Sequence, residues 1–564
     1  MKFSEYPFNP PNLKKIQKEG SAIIATIKNA KTSEEASTAI EKWNKLIEEL
    51  STDITVISVR FSINSKDEKY KEAVDLIDEI SPYFSQLNND FNMALLSSPH
   101  RKELEKKYGK YLFDMMENEI KTFSPAIIED LQLENKLTTE YNELVSSGEV
   151  VFRGETYTLT QMGRFMNDLD RETRKEASTV YWAWYAEHQS ELENFYDQLV
   201  KVRDKMAKTL GYENYLGLGY ARMGRLDYGP EDVAVYREEI KKNVTPLYKK
   251  LRKRQAKRIK IDNPEYYDYN LSFLSGNAKP AGDREYLVNA AKAMYNQMDP
   301  EIGEFFTMMV ENELLDLDAK PGKRGGGYMT YFPRYKTPFI FANFNGTQGD
   351  VETLTHEVGH AFQAYEARNI EVPAYQSPTL EACEIHSMSM EYFTKPFIDD
   401  LFKKDTDKFK FSHIEGTLTF LPYGVSVDEF QEWVYLHPTA TPAERNAIWR
   451  KIELKYTPGT DYGDNEFLNQ GGRWMRQHHI FSSPLYYIDY TLAQVVAFQF
   501  ALEMKEDYGR AWNKYVNLCR LGGQFPFVEL LHQARLRNPF EKGNMKKVIK
   551  PLVKELKSYD DLAM

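Results

Sequence analysis

Apolar residues recur every three to four positions from about Asn12 to Glu143, with charged residues filling the faces between them. That spacing predicts a run of amphipathic helices, each burying one side. Ser33-Glu34-Glu35-Ala36 predicts one helix start, a hydroxyl N-cap followed by carboxylates in the first turn. The period first changes at Glu149–Leu159 (EVVFRGETYTL), where two short alternating runs flank Gly154 and predict strands. Helical spacing resumes near Thr160 and continues to Lys260, broken by loops at Gly211 and Tyr228–Pro230. Lys320–Pro338 reads as loop, with Gly325, Gly326 and Gly327 between Pro321 and Pro333. Phe339–Phe344 (FIFANF) follows as a buried or half-buried strand, then a turn at Asn345-Gly346 and Asp350 as the N-cap of another helix. The expected fold is mainly α, with a small sheet just before that helix.

The helix opening at Asp350 reads DVETLTHEVGHAFQAYEA. His356 and His360 are four residues apart, so both imidazoles leave one face about a turn apart and can share one small cation. Glu357 lies between them, near the cation but off its line, which suits a general base acting on a bound water. The pattern H-E-x-x-H arises by chance in roughly one or two chains per hundred of this length. The crowding of histidines, seven of ten between His356 and His479, adds weight to a site.

A catalytic ion needs a third protein ligand and one open position. Pro378–Phe393 (PTLEACEIHSMSMEYF) is another helical stretch, and Glu384 and Glu391 are seven apart on one face of it, with Ser387 between them. Glu384 follows His360 by 24 residues, room for a loop and a returning antiparallel helix. Glu381, one turn earlier, and His386 compete for the same role. Cys383 reads as a packed thiol.

The 564 residues exceed what one core usually supports, so at least two lobes are expected: a helical lobe over 1–165 and a catalytic region over 166–564. A net charge of −11 argues against nucleic-acid binding. The densest basic stretch, Lys249–Lys260 (KKLRKRQAKRIK), alternates charge with apolar residues and reads as a solvated helix face. Two cysteines, Cys383 and Cys519, are expected as free thiols in a reducing compartment. No signal-peptide core and no apolar run of ~18 residues is visible. The expectation is a cytoplasmic protein with no membrane partner.

At these residues the chain resembles the thimet oligopeptidase family of zinc metallopeptidases, most closely its oligoendopeptidase F branch. The resemblance lies in HEVGH at 356–360, EIHSMSME at 384–391, Gly325–Thr347 and Phe195–Val233, and spans roughly Phe195 to Arg537. It implies a two-lobed helical fold around a deep channel, one zinc ion held by His356, His360 and Glu384, and short peptides as substrates. It also implies that a histidine and two or three tyrosines face the metal from Gly471–Gln494. Both the histidine and the first tyrosine are doubled here, so the register stays open: His479 with Tyr486, or His478 with Tyr487, and Tyr490 with either.

The mechanism expected is attack by a zinc-activated water, with Glu357 as base and Tyr490 and the His478/His479 pair as donors to the oxyanion. Glu391 is the expected acceptor for a ligand N–H. Phe339–Phe344 is the expected edge for backbone pairing with substrate. An alternative is a carboxypeptidase or dipeptidyl carboxypeptidase, for which Arg473, Arg476 and Arg334 are the cations able to hold a terminal carboxylate.

Overall fold

Side-chain caps set where the helices begin. Asn12 accepts the Lys15 N–H at 3.0 Å, and Asp67 accepts that of Tyr70 at 3.2 Å. For the helix Ser33–Ile63 (α1) the cap is Thr32, one residue before the expected Ser33. Thr32 has the extended backbone a cap requires and accepts the Glu35 N–H at 3.2 Å, leaving Ser33 as the first helical residue. The computed structural model describes residues 1–564, about 70% of them helical and 4% in strands, which makes the chain mainly α.

Two main cores form. In the first, Trp43 stacks on Phe91 at 4.1 Å, and helices between Ile16 and Met116 close around the pair. The second and larger core runs from Phe3 to Leu556 and contains the elements of the site. The helix Ile128–Ser146 (α2) is fastened to the helix Gln189–Thr209 (α3) by Glu134, which accepts Arg203 Nε at 2.7 Å and Arg222 at 2.9 Å.

The strands Glu149–Phe152 (β1) and Glu155–Thr158 (β2) pair antiparallel around Arg153-Gly154. Both turn residues have positive φ, as a two-residue hairpin turn demands, and glycine meets that demand without strain. Further on, the basic stretch forms the helix Thr245–Arg258 (α4).

A second sheet has the order β3-β5-β4, from Leu315–Asp318 (β3), Tyr328–Phe332 (β4) and Thr337–Phe344 (β5). Two expectations are corrected here. The stretch 320–338 is not all loop: YMTYF pairs with β5 from Tyr328↔Phe341 to Phe332↔Thr337, a non-local contact that its flanking glycines and prolines conceal. The segment Phe339–Phe344 lies in the central strand, parallel to β3 on one side and antiparallel to β4 on the other. Its backbone is already paired on both sides, so no peptide can add to it; the edge strands are β3 and β4.

The helix Gln348–Ala367 (α5) follows the sheet. Asp350 lies inside its first turn rather than at its N-cap, and its carboxylate accepts the N–H groups of Asn345 at 2.9 Å and Gly346 at 2.8 Å. It therefore fixes the turn that aims the helix. Val351, Leu354, Val358, Ala361 and Phe362 are its buried apolar face. The helices Leu380–Phe393 (α6), Thr406–Leu436 (α7), Tyr487–Glu506 (α8) and Tyr508–Leu521 (α9) complete this core. No helix is long and apolar enough to cross a membrane.

Candidate active site

The i, i+4 spacing on α5 puts the His356 and His360 rings 5.0 Å apart at 81°. Glu384, in the second turn of α6, brings Oε2 to 3.2 Å from His356 Nε2 and 3.4 Å from His360 Nε2. Donor atoms of the three residues all lie within 4.8 Å of one another. Ser387 donates to Glu384 Oε2 at 2.9 Å, and the Tyr486 hydroxyl donates to Oε1. The helices meet this closely because Gly359 has no side chain: a Cβ there would stand 2.6 Å from the His386 carbonyl oxygen and the Ser387 Cα.

Glu391 continues the same face of α6. It accepts from His356 Nδ1 at 2.7 Å and from His413 Nε2, on α7, at 2.6 Å. Burial alone would raise its carboxyl; the hydrogen bonds from His356 and His413 overrule that and hold it at about 2. Burial would likewise lower the His356 imidazolium, but Glu384 and Glu391 raise it well above the usual range. The pocket thus favours positive charge where His356 Nε2, His360 Nε2 and Glu384 Oε2 converge. Two imidazole nitrogens and a carboxylate oxygen with a second carboxylate behind one ring fit a single zinc-sized cation. His413 had no local signal in the sequence beyond its membership of the histidine cluster.

Glu357 is buried, and its Oε2 has no hydrogen-bond partner. Burial, acting against the attraction of His356 and His360, raises its carboxyl above the usual range. Its side chain borders a cavity of about 520 Å³ whose walls include His356, Gly327, Phe420, His479, Tyr487 and Tyr490.

The doubled residues separate in space. His479 faces the cavity, its Nε2 3.3 Å from the Tyr490 hydroxyl, while His478 is exposed and outside it. Tyr487 lines the cavity wall and Tyr486 reaches Glu384. Two residues that the sequence did not single out orient His479. The Tyr423 hydroxyl donates to Gln477 Oε1 at 2.9 Å, which turns the Gln477 amide nitrogen toward His479 Nδ1 at 2.6 Å. Nδ1 is then the acceptor, and the ring proton sits on Nε2, the nitrogen beside Tyr490. Burial and the neighbouring His478 push the His479 imidazolium down to about 3, so the ring is neutral at pH 7.

The rival ligands lie elsewhere. Glu381 is buried beside Arg225, and His386 is buried with Nδ1 3.4 Å from Cys519 Sγ. Both cysteines are free, and burial pushes the Cys383 thiol up to about 12. Among the three arginines, Arg334 pairs with Asp53 at 3.2 Å and Arg473 with Glu453 at 2.9 Å, whereas the exposed Arg476 lies over the Tyr181 ring.

A mostly helical body with a small sheet beside an H-E-x-x-H helix and a returning glutamate defines a class of peptidases, and comparison with known proteins narrows it. Peptidase family M3 matches residues 164–548, and the Peptidase M3 N-terminal domain matches residues 3–123. The chain belongs to peptidase family M3, in its oligoendopeptidase F branch. It is 49% identical to PZ peptidase A, solved with an inhibitor, with a TM-score of 0.98 and all of each chain covered. It is 22% identical to an oligoendopeptidase F homolog of Borreliella burgdorferi over 549 residues, 88% of each chain. It shares the fold of oligoendopeptidase-F from Enterococcus faecium at 14% identity and a TM-score of 0.67, covering 98% of this chain and 97% of that one.

Proposed function

We propose that this peptidase is a zinc-dependent endopeptidase that cuts internal bonds of short, unstructured peptides. The observation that carries the proposal is the convergence of His356, His360 and Glu384 beside the partnerless Oε2 of buried Glu357. When one zinc ion is bound by those three residues, it supplies a Lewis acid for the carbonyl and lowers the pKa of water to ~7. Glu357 takes the proton of the attacking water and delivers it to the departing amine. Tyr490 and His479 donate to the oxyanion as it develops, each such donor being worth ~2.7–4 kcal/mol. Gln477 and Tyr423 hold His479 in the tautomer that donates, and Tyr486 and Ser387 hold the Glu384 carboxylate. Tyr487 shapes the wall, and His478 has no contact with the reacting groups.

An extended peptide pairs with the outer edge of β4, the edge strand that runs out of Gly327 on the cavity wall. Backbone pairing reads few side chains, so length and lack of structure are the main filters. A helical lobe over 1–165 and a catalytic region over 166–564 flank the peptide, with Phe3 and Tyr6 packing back onto Phe332. Free thiols and a net acidic surface accord with a cytoplasmic enzyme that has no nucleic-acid partner.

Metal analysis of the purified protein, with quenched peptides blocked at both ends, tests this directly. The expected result is one zinc per chain, loss of activity with a chelator, recovery with zinc, and internal cuts in the blocked peptides. Glu357→Gln should keep its zinc and lose nearly all turnover; Glu384→Ala should lose the zinc. Stoichiometric zinc in Glu384→Ala would remove Glu384 from the ligand set. Release of only one or two residues from a free C-terminus would favour a carboxypeptidase.

A further inference from the structure

A second cavity, of about 780 Å³, borders the segment that carries His479. Seven basic side chains line it against two acidic ones, Asp262 and Asp461, in a chain whose net charge is −11. One wall is the basic stretch: Lys249, Arg252, Lys253 and Lys257 of α4, and Lys260 just beyond it. The other holds Arg473 and Arg476, a few residues before His479. An ordinary solvated helix face would spread such charges among carboxylates. Here only Arg473 has a carboxylate partner, Glu453 at 2.9 Å. The Arg252 guanidinium donates only to Gln255 Oε1, at 2.7 Å, and its buried Nε has no partner. Arg476 lies over the Tyr181 ring, 5.7 Å from its centroid, and pairs with no carboxylate.

A row of half-buried side chains leads from this cavity toward the reacting groups. Arg473 lies over Tyr423 at 4.9 Å, Tyr423 is 5.9 Å from Tyr487, and Tyr487 is 5.4 Å from Tyr490. Those steps laid end to end set an upper limit of about five residues for an extended peptide advancing ~3.3 Å per residue. Within a peptide bearing standard side chains and a free end, the anions are carboxylates, which a guanidinium fork binds with two parallel hydrogen bonds.

We propose that this cavity is a subsite for a carboxylate of the substrate peptide, with Arg476 as the principal donor and Arg252, Lys253 and Lys257 opposite. The proposal rests on the peptidase reading above. The carboxylate has two sources, the peptide's C-terminus or an Asp or Glu side chain within about five residues of the cut. Bound there, it anchors the peptide away from the scissile bond without being required for cleavage, which is compatible with internal cuts in blocked peptides.

The test uses one fluorescent peptide sequence in three forms: C-terminal acid, C-terminal amide, and amide with a glutamate placed within about five residues on either side of the cut. Cleavage gives kcat/KM for each, and anisotropy with the Glu357→Gln protein gives Kd without turnover. The expected result is a preference of ~10-fold or more for a carboxylate form over the neutral amide, the size of a charge-assisted hydrogen bond. That preference should shrink at high salt. It should fall toward unity in Arg476→Gln and drop by a smaller factor in a Lys253→Gln/Lys257→Gln double variant. A response of the acid assigns the C-terminus; a response of the glutamate amide assigns a side chain. Equal cleavage and equal Kd for all forms, or a preference that survives both variants, overturns the subsite and leaves the peptidase reading standing. A Kd preference lost in Arg476→Gln, in a zinc-loaded protein that cuts none of the peptides, keeps the subsite and defeats the peptidase reading.

Discussion

Gly359→Ala is the sharpest probe of how the metal site is built. Gly359 lies on α5 one residue before His360, and its missing side chain faces α6. An added Cβ would meet the His386 carbonyl oxygen and the Ser387 Cα at 2.6 Å and the Met390 Cβ at 2.9 Å. Two of those neighbours are backbone and cannot rotate aside, so restoring ordinary contact requires the helices to part by about 1 Å. Two effects compete in stability. Alanine favours the helix by ~1 kcal/mol over glycine, while overpacking costs ~1–3 kcal/mol. The net loss is therefore modest, ~0–2 kcal/mol, and the protein should fold.

The site should suffer far more. His356 and His360 ride on α5 and Glu384 on α6, so the 3.2 and 3.4 Å separations across the helix pair would both lengthen. Metal–ligand distances tolerate ~0.2 Å, so a shift approaching 1 Å should weaken zinc binding by at least the ~10–100-fold seen on losing an outer-shell partner. At saturating zinc a misplacement of that size should still reduce turnover by ~10²-fold. Competitive zinc titration against a fluorescent chelator reads the affinity, and thermal melts with and without zinc separate it from folding. A Gly359→Ala protein with wild-type zinc affinity and turnover would refute the claim that this contact sets the ligand geometry.

Glu391→Gln replaces an acceptor shared by His356 and His413 and should lower zinc affinity by ~10–100-fold, read by the same titration. Tyr490→Phe should leave zinc content unchanged and reduce kcat and kcat/KM together by ~10²–10³; a rise in KM alone would make Tyr490 a substrate-holding group. Glu134 tests the joint between α2 and α3: burial would raise its carboxyl, but Arg222 and Arg203 hold it at about 2. Its depressed value contributes stability that is complete above its unfolded pKa of ~4.3 and is lost as pH falls toward 2. Glu134→Gln should therefore cost ~3 kcal/mol at neutral pH in denaturant unfolding, with the deficit shrinking below pH ~4.3. A deficit independent of pH would mean packing, not charge, is lost.

The sequence by itself determined what is local. Four-residue spacing puts His356 and His360 on one helix face whatever surrounds them, and the 24 residues to Glu384 leave room for a returning helix. Helical periodicity likewise shows the mainly α build, because each helix satisfies its backbone within its own segment. Strand order was not legible, because a strand's partners lie elsewhere in the chain. Phe339–Phe344 has the composition of a recognition edge, yet β3 and β4 occupy both of its sides. The same holds for the partners that orient the site. Glu391 meets His413 from 22 residues away, and Tyr423 meets Gln477 from 54, contacts that no periodicity encodes. His478 and His479 are chemically identical neighbours, and only the packing of their segment turns one into the cavity and the other to solvent. The basic stretch makes the point most plainly. Its alternation of charge and apolar residues fixes a helix, but whether its cations find carboxylates or face one another across a cavity depends on what the rest of the chain sets opposite them, and that only the tertiary structure decided.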